Sequence, residues 1–176
     1  VSKTLQHIEM VFQQFNLVRR LSALENVLIG RLGTMGVLRS TLRWYRKSDL
    51  ELAMSLLERV GMADHAWQRA DTLSGGQQQR VGIARALAQQ PRLILADEPI
   101  SALDPKSSEQ VMELLLSIHT SERIAVICNL HHLDTVREYA DRVVALKKGR
   151  LVFDGPPSGL GEELSRSLYY DERLEG

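Results

Sequence analysis

The run Leu93-Ile94-Leu95-Ala96, ending in Asp97-Glu98-Pro99, constrains this chain most. A short, uninterrupted apolar stretch of that kind reads as a strand buried on both faces, which occurs inside parallel sheets. Parallel strands need long crossovers, and the flanking segments supply them. Asp104-Pro105 opens a helix, with Asp as cap and Pro at the first helical position, and Val111, Leu114, Leu115 and Ile118 form its apolar stripe. Ile124 to Cys128 is the next strand and His131 to Tyr139 the next helix, and strands Val143–Leu146 and Leu151–Phe153 meet at a Lys148-Gly149 turn. This alternation predicts an α/β fold with a largely parallel sheet and helices packed on it.

Ahead of this region the pattern differs. His7 to Phe15 reads as a strand, and residues 17–90 read as mostly helical. Ser22 with Glu25, and Ser48 with Glu51, fit the capping box. After Ser48 the stripe Leu50, Ala53, Met54, Leu57 and Val60 leads to a stop at Gly61, while Gly30 to Arg46 is a looser region. A helical insert therefore interrupts an α/β core.

Composition narrows the function. Twenty-two basic residues balance 22 acidic ones, which argues against a nucleic-acid partner. No apolar run approaches the ~18 residues of a membrane span. The single cysteine, Cys128, excludes an internal disulfide and a Cys-rich zinc site.

Two local features carry chemistry. In Leu73-Ser74-Gly75-Gly76-Gln77-Gln78-Gln79-Arg80, Ser74 and Gln77 form a capping box. Two glycines at that helix start allow close backbone approach to an anion such as phosphate. An ordinary helix start with a flexible turn fits the same residues. At the carboxyl end of the strand before Pro99, where ligands of parallel sheets sit, Asp97 is suited to hold Mg²⁺ and Glu98 to polarise water. A solvated acidic turn is the other reading.

Taken together, Phe12-Gln13, the segment 73–80, the strand ending Asp97-Glu98-Pro99, Ser101-Ala102-Leu103-Asp104 and His131 resemble the ATP-binding-cassette (ABC) ATPases over essentially the whole chain. The resemblance implies a P-loop NTPase core with a helical subdomain. Residues 1–16 would end the core at the Q-loop, 17–90 would be the helical subdomain with the signature, and 91–176 the α/β core. By the same resemblance Gln13 is the Q-loop glutamine, reaching Mg²⁺ and the attacking water. Ser74, Gly75, Gly76 and Gln77 are the signature that caps the γ-phosphate of ATP held by the opposite subunit. Asp97 is the Walker B metal ligand, Glu98 the catalytic base, Asp104 the D-loop aspartate and His131 the switch histidine.

The segments His65-Ala66-Trp67-Gln68-Arg69-Ala70-Asp71, Asn129-Leu130-His131 and Val152-Phe153-Asp154-Gly155-Pro156 are similar to phosphonate-importer ATPases. That implies an ATP-hydrolysing subunit at the cytoplasmic face of the inner membrane. It would form a head-to-tail dimer, dock on transmembrane permease subunits and serve a periplasmic substrate-binding protein. No G-x-x-x-x-G-K-S/T run occurs in the 176 residues. The expectation is therefore a core lacking its N-terminal part, with poor ATP affinity as it stands. The alternative is a catalytically incomplete partner that supplies only the signature in trans.

Overall fold

The computed structural model describes residues 7–32 and 45–161; part of the looser region around Gly30 to Arg46 lies outside the described residues. The chain divides into two compact units, Val1–Asn129 and Leu130–Gly176.

In the first unit, β1 (Ile8–Val11), β2 (Leu93–Asp97) and β3 (Ala125–Asn129) form a parallel sheet in the order β1-β2-β3. Its rows include Glu9–Ile94–Val126, Met10–Leu95–Ile127 and Asp97–Asn129. Side chains alternate between faces. Val11, Ile94 and Ala96 are buried on one face, while Met10 and Ile127 on the other are 42% and 60% exposed. β2 is thus sealed on one face and half-covered on the other. β1 is shorter than the sequence pattern suggests: Phe15 N–H donates to Phe12 O at 3.2 Å and folds the chain into a turn, and Phe15 and Asn16 then take left-handed backbone angles (φ 56° and 47°). β3 runs one residue later than expected and takes in Asn129.

The helices are α1 (Ala23–Ile29), α2 (Lys47–Arg59), α3 (Gly75–Leu87) and α4 (Pro105–Glu122). Ser22 and Glu25 form the expected box: Glu25 N–H donates to Ser22 Oγ at 3.2 Å, and Ser22 N–H donates to Glu25 Oε2 at 2.7 Å. The Ser48–Glu51 box does not form. Helix α2 begins at Lys47, and Arg46 N–H donates to Asp49 Oδ2 at 3.1 Å. Asp49 is buried and pairs with Arg31 at 3.3 Å, while Leu50 is 39% exposed. An ion pair, rather than the leucine expected from periodicity, occupies that end of the stripe. The rest of α2 buries Ala53, Leu56 and Leu57, and Gly61 ends it at φ +66°.

Helix α1 crosses α3 very closely. A Cβ on Gly30 would collide with the Arg85 carbonyl oxygen, so only glycine fits there. Fully buried Asn26 ties the preceding loop to α1: its amide donates to Ser22 O at 2.9 Å and accepts from Val18 N–H at 2.8 Å.

In the second unit, α5 (Leu133–Tyr139) starts two residues later than expected, with His132 at its cap. β4 (Val143–Lys147) and β5 (Arg150–Gly155) pair antiparallel as a hairpin of their own. Lys148 and Gly149 both have positive φ, which suits a two-residue turn between twisted strands. Arg142 grips both oxygens of Asp154 at 2.7 and 2.8 Å, and this holds the Asp154 carboxyl below its usual range.

Candidate functional site

Three parallel strands deliver polar groups to one end of the sheet. Gln13 is exposed two residues beyond β1, Asp97 ends β2 and Asn129 ends β3. Asp97 and Asn129 are register partners, so their side chains lie on the same, more open face. Asn129 Nδ2 donates to Asp97 Oδ1 at 3.0 Å. One carboxylate oxygen is thereby oriented by a neutral amide, and Asp97 itself is exposed. Periodicity alone assigns Asn129 no role; its place opposite Asp97 is a product of strand pairing.

Glu98 turns the chain sharply. Its φ is +46°, its N–H donates to Asn129 O at 3.2 Å, and the following Pro99 is fully buried. Left-handed backbone at a non-glycine residue costs about 1 kcal/mol or more, and such strain collects at functional positions. Ser101 Oγ donates to Glu98 O at 3.1 Å. This bond braces the turn that leads to Asp104.

Asp104 caps α4 as expected, accepting from Ser107 N–H at 3.0 Å. Hydrogen bonds from Ser107, side chain first, hold its carboxyl below the usual carboxylate range. Ser107 also faces the Leu73–Arg80 segment: a Cβ on Gly76 would lie 2.7 Å from Ser107 Cβ and Oγ, and one on Gly75 would lie 3.2 Å from Leu103 Cδ2. The space at the two glycines is filled, at least in part, by the chain's own residues. That contact joins the start of α3 to the loop descending from Glu98.

Ser74 and Gln77 close the expected box, with Gln77 N–H to Ser74 Oγ at 3.3 Å and Ser74 N–H to Gln77 Oε1 at 2.9 Å. The Gln77 amide also meets His65: Nε2 lies 3.2 Å from His65 Nε2. An amide nitrogen only donates, so this ring nitrogen is placed to accept. His65 thus belongs to this group, although its isolated place in the sequence suggests an unremarkable surface or core position. Gln79 is fully buried, and neither atom of its amide has a hydrogen-bond partner among the described residues. His131 and His132 are both exposed and belong to the second unit.

The first unit therefore presents a strand-end acid with a second acid on a strained turn, an exposed glutamine at the same end, and a capped helix start packed on the next loop. This chemistry suits a hydrated cation and an anionic ligand. Among the described residues no cluster of three or more His, Cys, Asp or Glu is placed to hold a metal, and no helix is long and apolar enough to cross a membrane.

Comparison with known proteins bears on the family and the fold. The sequence model described as ABC transporter matches residues 1–101. The phosphonates import ATP-binding protein PhnC 1 of Synechococcus sp. is 56% identical over 164 residues, covering 93% of this chain and 62% of that protein. The corresponding PhnC of Thiobacillus denitrificans is 52% identical over 168 residues, covering 96% and 65%. Both figures show that the chain spans less than two thirds of these relatives' length. Among solved structures, a metal-chelate type ABC transporter in an inward-facing conformation matches with TM-score 0.85 at 30% identity, covering 93% of this chain and 64% of that one. A dimeric ATP-binding cassette in a post-hydrolysis state, bound to ADP and Pi, matches with TM-score 0.67 at 35% identity, covering 85% and 62%.

Proposed function

The chain belongs to the ABC transporter family, and we propose that it acts as the ATP-hydrolysing subunit of a phosphonate importer. The observation that carries this reading is the strand-end group: Asp97 oriented by Asn129 at 3.0 Å, with Glu98 on the strained turn directly after it. The fit to phosphonate import rests on the similarity to the two PhnC proteins.

Mg²⁺ fits the donor set. It keeps several waters and is held by one or two carboxylates plus substrate phosphates, and Asp97 offers one exposed, oriented carboxylate. Bound there with ATP, the ion would supply charge neutralisation at the phosphates. Glu98 accepts the proton of the attacking water, and the Gln13 amide orients that water. Ser74, Gly75, Gly76 and Gln77 address the γ-phosphate held by a second subunit, with Asp104 coupling the two sites and His131 contacting the γ-phosphate. Residues 17–90 act as the helical subdomain that passes motion to transmembrane permease subunits, between 1–16 and 91–176 of the core. The working location is the cytoplasmic face of the inner membrane, downstream of a periplasmic substrate-binding protein.

The test is Glu98→Gln in the intact protein. ATP binding should persist while turnover falls by about 10²–10⁴-fold, the span of general base catalysis. Undiminished hydrolysis would remove Glu98 from that role. Absence of ATP binding in the intact wild type would leave the supply of the signature in trans as the working function.

A further inference from the structure

Helix α3 carries the signature at its start and, three turns later, holds the loop that follows Gln13. Arg85 donates from Nη1 to the Asn16 carbonyl oxygen and from Nη2 to the Phe15 carbonyl oxygen, the latter at 3.3 Å. Those two residues are the consecutive left-handed pair. Backbone strain of this kind persists only when its surroundings over-determine it. The rest of the same helix face is shaped for the loop: a Cβ on Gly82 would lie 3.5 Å from Phe15 O, and one on Gly75 would lie 3.6 Å from the Phe15 ring. Glu9 of β1 also attracts the guanidinium, and burial of that carboxyl lifts its pKa above the ordinary value. One side chain of the signature helix therefore holds two successive carbonyls of the loop.

We propose that Arg85 is a positioning residue that locks the Gln13 loop to helix α3, so that Gln13 and the signature move as one body. The proposal deepens the ATPase reading above and rests on it. A planar guanidinium addresses two successive carbonyls with a fixed fork, which an ammonium does not reproduce. Arg85→Lys therefore keeps the charge beside Glu9 and loses the fork. The same arginine seen only as fold support predicts a general loosening instead.

The experiment compares wild type and Arg85→Lys in the intact protein, by steady-state ATP hydrolysis and by amide hydrogen exchange. We expect kcat to fall about tenfold with the ATP KM within about twofold, and exchange across residues 12–18 to quicken about tenfold while residues 93–97 stay protected. A wild-type kcat, or wild-type exchange across 12–18, would overturn the proposal. So would an equal rise in exchange in both segments. A wild type that hydrolyses no ATP would instead sink the ATPase reading, and the exchange comparison would still decide the clasp. Should Arg85→Lys not fold, Arg85→Gln, which retains one donor nitrogen in place of the fork, is read by the same two measurements.

Discussion

At the scale of single residues, the informative positions are polar side chains whose partners come from elsewhere in the chain. Glu9 sits on the buried face of the sheet, and desolvation outweighs the attraction of Arg85, so its pKa is raised. A raised acid favours folding below its unfolded value, and that contribution disappears as pH rises through the folded value. Glu9→Gln should therefore gain stability relative to wild type as pH is raised from about 4 to 7, read by denaturant midpoints at each pH. A constant difference across that range would refute the assignment. Gln79 makes the opposite point. An amide that is fully buried and has no partner among the described residues costs about 1–3 kcal/mol. Gln79→Met, close in shape, should be neutral or raise stability by up to about that amount; a loss above about 2 kcal/mol would show that the amide has a partner. Neither environment is visible in sequence, because a glutamate on a strand and a glutamine on a helix carry no mark of which neighbours surround them.

Elements meet through glycine and caps. The Ser22 box was legible because both its partners lie three residues apart, and Ser22→Ala should cost about 1 kcal/mol in thermal or chemical unfolding. The Ser48 box had the same local credentials and failed, because Asp49 is drawn inward to Arg31 at 3.3 Å and moves the helix start with it. The signature helix and α4 are joined at Gly76, where an added Cβ would press on Ser107 at 2.7 Å. Gly76→Ala should therefore lose about 1–3 kcal/mol through overpacking, and Ser107→Gly in the same chain should recover a substantial part of it. Double-mutant coupling near zero in urea unfolding would show that the two helices do not sense each other there.

For the whole molecule, the proposed head-to-tail arrangement makes a prediction no single subunit can satisfy. Ser74→Arg spoils the signature and Glu98→Gln spoils the base, yet a mixed dimer of the two variants contains one site with both groups intact. Mixing two inactive variants should restore a measurable share of ATP turnover, and its absence would refute action in trans. The order of strand and helix, the caps at Ser22, Ser74 and Asp104, and the Lys148-Gly149 turn were all determined by the sequence alone. Each depends on residues within a few positions of one another, where hydrogen-bond reach and backbone sterics act directly. The motif residues were legible for the same reason, being contiguous in the chain. Only the tertiary structure decided that Asn129 meets Asp97, that His65 meets Gln77, that Ser107 fills the space at Gly76 and that Arg85 clasps the loop after Gln13. These pairs lie 32, 12, 31 and about 70 residues apart. Their distances are set by strand register and helix packing, which bring the partners together through the burial of other side chains.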